Sequence, residues 1–275
     1  MLLGIDLLFS LGLALWLGLG GFLPENFWGV VAGVGVFLGT FIAVVVLYLL
    51  FFLIVFLALE KADPRKMFKH RLLYWYTHMY YNDFLRVAVK VTGKENLPKN
   101  RRFVVVSNHI EASDPMYIKQ VYRRFPLAFV SKVALFKTWP VKNILQSVGC
   151  VPISPKVDQS ALESIEKSIR LVESGLPMGI FPEGRRTYCN EMIAFRPGSF
   201  KLPMKAKADI SPVAVYGMHD IYRKGRIRPA RVFLHVLPLI PYEEYKEMDT
   251  VALAQKVHDL VEEQMKKFAA EANQR

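Results

Sequence analysis

Two long apolar runs at the amino-terminal end constrain the fold more than any other feature of this sequence. Leu2–Leu23 contains two polar residues, and Phe27–Leu59 is apolar apart from one threonine. A bilayer needs about 20 apolar residues for one helical crossing. The first run is just long enough, whereas the second, with 33 residues, must tilt, project beyond the lipid or start late. Because the polar break Pro24–Asn26 separates them, the pattern predicts a membrane-anchoring two-helix hairpin over residues 1–60. Since Asp6 disfavours deep burial in the bilayer, the alternative is that the first helix lies in the membrane interface while the second crosses.

A basic cluster directly after the second run indicates the orientation. It consists of Lys61, Arg65, Lys66, Lys69 and Arg71. Positive residues beside a span favour the cytoplasmic side, so we expect the remainder of the chain at the cytoplasmic face of the cell membrane. Residues 61–92 are predicted to form a juxtamembrane interfacial helix and a lead-in strand. The helix is expected over Leu72–Arg86, which carries six aromatic residues, and core packing is the alternative reading of that composition.

Charge separates this amino-terminal part from the rest. All 36 Lys and Arg residues, and 22 of the 24 acidic ones, lie in residues 60–275, which gives that part a net charge of +14. Such an excess favours anionic partners, and the apolar runs make lipid headgroups and phosphorylated substrates a better choice than nucleic acid. The only cysteines, Cys150 and Cys189, form no metal-binding or disulfide pattern.

From residue 87 onward, strand patterns alternate with helical ones. The predicted strands are Val87–Val91, Phe103–Ser107, Leu127–Ser131, Cys150–Ser154, Met178–Pro182, Ser211–Tyr216 and Arg231–Ile240. The predicted helices are Pro115–Arg124, Pro140–Val148, Asp158–Glu173 and Thr250–Glu271. This alternation predicts an α/β fold, with a mainly parallel sheet flanked by helices, in one domain over residues 93–275.

A polar turn after the second predicted strand carries a candidate catalytic pair. His109 and Asp114 lie between the buried strand and a helix start marked by Pro115. Open α/β sheets bind ligands at this edge. A histidine there can accept a proton near neutral pH, and a carboxylate can orient its imidazole. The alternative is a helix cap beside an ordinary loop residue.

A second polar turn follows the strand that starts at Met178. It contains Glu183, Gly184 and the adjacent Arg185 and Arg186. Guanidinium groups match phosphate oxygens, and glycine allows close approach of the backbone. Lys132 ends another predicted strand. The pattern predicts a phosphate site, with a solvated basic loop as the alternative.

Together these residues resemble the glycerophospholipid acyltransferase family, most closely the bacterial 1-acylglycerol-3-phosphate acyltransferases. The family's Asn-His-x4-Asp block matches Asn108, His109 and Asp114, and its Phe-Pro-Glu-Gly-Thr-Arg-Ser block matches Phe181–Thr187, with Arg185 in place of threonine. The Phe-Val-x-Lys element matches Phe129–Lys132, and the later Ile-x-Pro-Val block matches Ile210–Val213. The similarity covers about residues 90 to 240. In place of a Phe-Ile-Asp-Arg block stands Val151–Lys156, which makes the acceptor less certain than the chemistry.

The resemblance implies an enzyme that moves a fatty acyl chain from a thioester, acyl-CoA or acyl carrier protein, to the sn-2 hydroxyl of 1-acyl-glycerol-3-phosphate, giving phosphatidic acid. No bound cofactor and no metal are expected. It implies that His109 is the general base and Asp114 its partner. The implied substrate-binding residues are Asn108, Lys132, Glu183, Gly184, Arg185 and Arg186. The partners implied are the phospholipid bilayer, lysophosphatidate and the acyl donor.

Two other functions are alternatives to acyl transfer to 1-acyl-glycerol-3-phosphate. One is acyl transfer to a different acceptor: glycerol-3-phosphate, a lysophospholipid or an aminolipid precursor. The other is a non-enzymatic, membrane-tethered scaffold that binds lipid or nucleic acid, which the charge of +14 also suits. The scaffold leaves the ordered polar blocks without an explanation.

Overall fold

The computed structural model describes residues 2–154 and 159–273. The α-helices are α1 Leu2–Leu19, α2 Phe27–Ala58, α3 Met67–His78, α4 Asp114–Val121, α5 Val141–Ser147, α6 Gln159–Glu173, α7 Lys201–Lys205, α8 Tyr242–Tyr245 and α9 Thr250–Asn273. The strands are β1 Val87–Thr92, β2 Phe103–Ser107, β3 Ala128–Lys132, β4 Val151–Ile153, β5 Met178–Ile180, β6 Asp209–Tyr216 and β7 Ala230–Val236. A π-helical segment, Met79–Phe84, extends α3, and short 3-10 segments cover Lys94–Asn96, Val133–Lys137, Pro197–Phe200 and Met218–Tyr222.

The strands form one seven-stranded sheet in the order β1-β7-β6-β2-β5-β3-β4. Strand β2 is buried along its whole length and lies parallel to both neighbours, β5 and β6. The predicted mixed α/β fold with a mainly parallel sheet is confirmed. The exception is β7, which pairs antiparallel with β6 and parallel with β1. As a result β7 and β1 begin at the edge of the sheet where β2, β5, β3 and β6 end.

Helices cover both faces of the sheet. On one face, Tyr122 after α4 packs against Phe103 of β2 with ring centroids 5.8 Å apart, and its hydroxyl lies 2.5 Å from Ser211 Oγ of β6. On the other face, α9 places Phe268 against Phe233 of β7 at 5.5 Å. The central strand is therefore shielded from water on both sides, which accounts for its continuous apolar pattern.

The two amino-terminal helices pack against each other and are joined by residues 20–26. The side chain of Asn26 caps α2 by accepting a hydrogen bond from Gly29 N at 3.2 Å. Gly29 is required at this place, because a Cβ atom there would lie 1.6 Å from the carbonyl oxygen of Pro24. Among the described helices, only α2 is long and apolar enough to cross a membrane by length and composition. The membrane hairpin over residues 1–60 therefore stays a prediction.

The carboxyl-terminal turns of α2 belong to the folded domain. Phe52 and Phe56 are buried, and the Phe52 ring lies 5.3 Å from that of Tyr76 in α3. Residues 27–47, which are largely exposed, extend about 32 Å at 1.5 Å per residue, close to the ~30 Å hydrocarbon core of a bilayer.

The segment after α2 is hydrogen-bonded to the edge of the sheet where β4 and β5 begin. Lys69 donates a hydrogen bond to Ser147 O at 2.6 Å, and Arg65 donates one to Ser174 O at 3.3 Å. Ser147 and Ser174 precede β4 and β5, so these contacts lie at the amino-terminal ends of the strands. From there α3 and the π-helical segment cross to the other edge, where β1 begins. Aromatic residues of this crossing face partly inward, since Tyr81 contacts Tyr117 of α4 at 5.2 Å.

Candidate active site

His109 and Asp114 contact each other directly at the carboxyl-terminal edge of β2. His109 Nδ1 lies 2.8 Å from Asp114 Oδ2, and the same oxygen accepts hydrogen bonds from the backbone amides of Ile110 at 2.6 Å and Glu111 at 2.9 Å. The His109 side chain is 18% exposed, whereas that of Asp114 is fully buried. Because the carboxylate accepts the Nδ1 proton, Nε2 is the basic nitrogen of the neutral ring.

Asp114 does not act as a simple helix cap. It is the first residue of α4, yet its carboxylate turns back onto the loop that carries His109. Burial raises the pKa of the Asp114 carboxyl, and the hydrogen bond from His109 together with the two amide hydrogen bonds opposes that rise. These contacts hold the negative charge beside the imidazole, which is the arrangement expected for an orienting carboxylate.

An aromatic stack fixes the plane of the imidazole. Phe181, which directly follows β5, stacks on His109 with ring centroids 4.0 Å apart and planes inclined by 19°. Phe129 of β3 stacks behind Phe181 at 5.7 Å. Gly179 makes room for this, because a Cβ atom there would lie 2.3 Å from the Phe129 ring. Phe181 was part of the recognised block, but the sequence contained no indication that it contacts the histidine.

The loop after β5 is bonded to the loop after β2. Thr187 N donates a hydrogen bond to His109 O at 2.9 Å, and Tyr188 N donates one to Ile110 O at 3.1 Å. The parallel pairing of β2 and β5 brings the two loops together. Consequently the arginine pair and the catalytic pair are neighbours in space although they are more than 70 positions apart.

The guanidinium groups of this loop are open to solvent. Arg185 and Arg186 are both exposed, and the Arg186 guanidinium lies 5.0 Å from the centre of the Tyr188 ring. Gly184 has a φ of 70°, and a Cβ atom there would lie 2.6 Å from Cζ of Arg196. Arg196 therefore packs directly over Gly184 and adds a third cation beside the predicted pair. The sequence showed it only as a cation in a nearby turn.

Glu183 is a buried carboxyl group close to the catalytic pair. It is 2% exposed, and no side chain among the described residues hydrogen-bonds to its carboxyl oxygens. Burial, with the nearby charge of Asp114, raises the pKa of Glu183 to about 8, while the backbone amides of His109 and Ile193 and the charge of Arg185 act in the opposite direction. The group is therefore mostly protonated at neutral pH and can donate a hydrogen bond to a ligand oxygen.

Asn108 is engaged by the protein. Its side-chain amide exchanges two hydrogen bonds of 2.9 Å with the backbone of Val215 in β6, and its Nδ2 lies 3.6 Å from Met265 Sδ of α9. The side chain is buried. These contacts give Asn108 a positioning role that locks the β2 loop to β6, and its predicted contact with substrate stays a prediction.

Lys132 ends β3 and is exposed at the same edge. Strand β5 separates β3 from β2, so the backbone of Lys132 lies about 10 Å to the side of the His109 strand at ~4.8 Å per strand. The divergent block begins in β4, one strand further out. Its last residue, Lys156, lies outside the described residues. Over residues 2–154 and 159–273, no group of three or more His, Cys, Asp or Glu side chains is placed to hold a metal ion.

The family assignment agrees with this geometry. Residues 88–216, which contain the catalytic pair and the arginine loop, match the family model described as Acyltransferase. This segment is similar to the acyltransferase family. The match covers β1 to β6 of the acyltransferase domain and ends before β7 and α9.

The chain is also similar to individual proteins that carry a named activity. The chain is 29% identical over 177 residues to a 1-acyl-sn-glycerol-3-phosphate acyltransferase of Borreliella burgdorferi, covering 64% of this chain and 70% of that protein. It is 29% identical over 176 residues to the alpha enzyme of the same name from Bos taurus, covering 62% of this chain and 60% of that protein. The crystal structure of the 1-acyl-sn-glycerophosphate acyltransferase PlsC from Thermotoga maritima shares the fold, with a TM-score of 0.62 at 23% identity over 73% of this chain and 81% of that chain.

Proposed function

We propose that this protein transfers a fatty acyl group from a thioester donor to the sn-2 hydroxyl of 1-acyl-glycerol-3-phosphate, giving phosphatidic acid. The observation that carries the proposal is the contact of 2.8 Å between His109 and the buried Asp114, placed beside an arginine-rich loop. The named activity of the relatives from Borreliella burgdorferi and Bos taurus supports the choice of substrate.

His109 acts as general base in the proposed reaction. The acceptor hydroxyl oxygen attacks the thioester carbonyl carbon while Nε2 of His109 takes the hydroxyl proton. Asp114 stabilises the imidazolium that forms. When the tetrahedral intermediate collapses, the C–S bond breaks, and the imidazolium returns the proton to the leaving thiolate. Positioned acid–base catalysis supplies about 10²–10⁴-fold, so the joint binding of both substrates must supply much of the remaining acceleration.

The arginine loop holds the acceptor in this proposal. Arg186, with Arg185, forms charge-assisted hydrogen bonds to the acceptor phosphate, and the open backbone at Gly184 allows the phosphate to approach. Glu183, protonated at neutral pH, donates a hydrogen bond to an acceptor oxygen. Lys132 lies further to the side and contributes a long-range positive charge to the same region.

Membrane attachment fits a lipid acceptor. We propose that residues 27–47 of α2 cross the bilayer together with α1, and that the carboxyl-terminal edge of the sheet faces the lipid surface. The contact of α1 with the π-helical segment Met79–Phe84, which precedes β1 at that edge, supports this. The basic cluster from Lys61 to Arg71 favours the cytoplasmic face for the acyltransferase domain.

The test is thin-layer analysis of labelled lipids made by the purified full-length protein. Lysophosphatidate is supplied with acyl-CoA or with acyl carrier protein thioester, next to glycerol-3-phosphate and lysophospholipid acceptors. We expect labelled phosphatidic acid from lysophosphatidate, and loss of at least two orders of magnitude in kcat for His109→Ala. Product only from another acceptor would reassign the substrate. Near-normal turnover by His109→Ala would remove the base assignment.

A further inference from the structure

An arginine-rich loop of residues 222–231 lies outside the catalytic machinery described above. It connects the 3-10 segment Met218–Tyr222 to β7 and contains Arg223, Lys224, Arg226 and Arg228 before Arg231 in the strand. Because β7 runs antiparallel to β6, this loop lies at the carboxyl-terminal edge of the sheet, the edge that carries His109. In the membrane attachment proposed above, the loop therefore lies on the side of the domain that faces the lipid.

One arginine fastens the loop to the juxtamembrane segment. Arg226 donates hydrogen bonds to the carbonyl oxygens of Leu85, of Arg86 at 3.3 Å and of Arg228 at 2.9 Å. Leu85 and Arg86 immediately follow the π-helical extension of α3, whose residues contact α1. The loop is thus held next to the amino-terminal helices, and the guanidinium of Arg226 is used for this fastening.

Arg226 and the three other arginines, Arg223, Arg228 and Arg231, line a cavity of about 290 Å³ between the loop, the end of β6 and the start of β7. Arg223, Arg228 and Arg231 are exposed, and Asp220 is the one acidic residue in the lining. Asp220 Oδ1 also lies 3.5 Å from Nε2 of His219. A cavity lined by four guanidinium groups and one carboxylate is a binding site for a phosphate-bearing anion.

An apolar side chain projects from the middle of this basic loop. Ile227 is 85% exposed although it stands between Arg226 and Arg228, and Tyr222 at the start of the loop is 47% exposed. Apolar and aromatic side chains flanked by cations are typical of segments that lie in the membrane interface. Neither the fold nor the active site accounts for an isoleucine in this exposed position.

We propose that the loop 222–231 docks on the surface of an anionic phospholipid bilayer, with Ile227 inserted between headgroups and one lipid phosphate bound in the cavity lined by Arg223, Arg228 and Arg231. The loop forms a second membrane contact in addition to α2. This inference rests on the membrane attachment proposed above and is independent of the acyl transfer chemistry.

The test is a depth measurement on the full chain, reconstituted in vesicles of phosphatidylcholine with or without phosphatidylglycerol. A nitrobenzoxadiazole probe is attached at Ile227→Cys in a Cys189→Ser background and quenched by lipids with brominated acyl chains. Val34→Cys in α2 and Lys99→Cys, at the opposite edge of the sheet, carry the probe as references. We expect quenching at position 227 in anionic vesicles, quenching at position 34 in both lipids and none at position 99.

Quenching at position 34 without quenching at position 227 in anionic vesicles would overturn the docking while leaving α2 in the membrane. Absence of quenching at both positions would overturn the membrane attachment as well. Equal quenching at position 227 in neutral and anionic vesicles would remove the role of the lipid charge. Release of the loop by inorganic phosphate would assign the cavity to a soluble anion and contradict the proposal.

A charge-matched pair of variants tests the cavity itself. Arg223→Gln combined with Arg228→Gln should lower the preference of the position 227 probe for anionic lipid by about fivefold per arginine, from ~1 kcal/mol per cation near the surface. Lys94→Gln combined with Lys99→Gln removes the same charge at the opposite edge and should leave that preference unchanged. If both pairs lower it equally, net charge and not the cavity attracts the lipid.

Discussion

Asp114→Asn is the substitution that most directly tests the proposed catalytic pair. The asparagine carbonyl oxygen, placed where Oδ2 lies, can still accept the hydrogen bonds of the Ile110 and Glu111 amides and of His109 Nδ1, so the loop and the ring tautomer should be kept. The new NH₂ group then takes the position of Oδ1, which has no hydrogen-bond partner among the described residues, so the substitution mainly removes the negative charge. The lost carboxylate charge, about 4 Å from the imidazolium centre, is worth about 4 kcal/mol at an effective dielectric constant of about 20. We expect kcat to fall by about 10³-fold.

Single-turnover kinetics with lysophosphatidate and a labelled thioester provide the measurement. The KM values should change little, because the substitution acts on the reaction step and not on substrate binding. Glu111→Gln is the matched control, since it removes a carboxylate from the same loop and should retain kcat within a few-fold. If Asp114→Asn keeps its thermal unfolding temperature and loses less than about tenfold in kcat, the carboxylate does not stabilise the imidazolium, and the reasoning fails.

Four further predictions follow from the contacts described above. Arg186→Ala should raise the KM for lysophosphatidate by about 10–100-fold, because a charge-assisted hydrogen bond to the phosphate is lost. An equal rise in the KM for the thioester would contradict the phosphate-binding role of Arg186. Phe181→Leu should lower kcat by about 2–10-fold through loss of the stack on the catalytic imidazole, measured at saturating substrate. Because the folded-state pKa of Glu183 is raised from 4.5 to about 8, the free energy of unfolding should fall as pH rises between those values, and Glu183→Gln should flatten that dependence in thermal melts. Phe56→Ala should cost about 3–5 kcal/mol of stability in detergent, whereas Phe51→Ala, on the exposed side of α2, should cost much less.

The parts of the fold that depend on local pattern could be predicted from the sequence. Strand β2 begins and ends at the predicted residues Phe103 and Ser107, because its five side chains are all buried and the polar turn that follows is sharply defined. The predictions that His109 and the arginine loop each follow a strand of a mainly parallel sheet also put both turns at one edge. The pairing of β2 with β5 confirms that neighbourhood.

Features that depend on distant partners could not be predicted. The amide of Asn108 is occupied by Val215, 107 positions away, so its engagement is invisible in the local sequence. For the predicted strand Arg231–Ile240, the sequence did not indicate whether it runs parallel or antiparallel to its neighbours. Its antiparallel pairing with β6 follows only from the short connection through the arginine-rich loop. In α2, Phe52 has the same hydropathy as Phe51, and only the packing of α3 distinguishes the buried ring from the exposed one.

The continuity of α2 between the apolar segment and the docked turns has a mechanical consequence. Each residue inserted between residues 47 and 52 would lift the acyltransferase domain by about 1.5 Å and rotate its docking face by about 100°. The number of residues in the helix, and not a flexible tether, would then determine which surface of the domain faces the lipid. In the proposed attachment, an uninterrupted helix of this kind would set both the distance and the orientation of His109 relative to the bilayer.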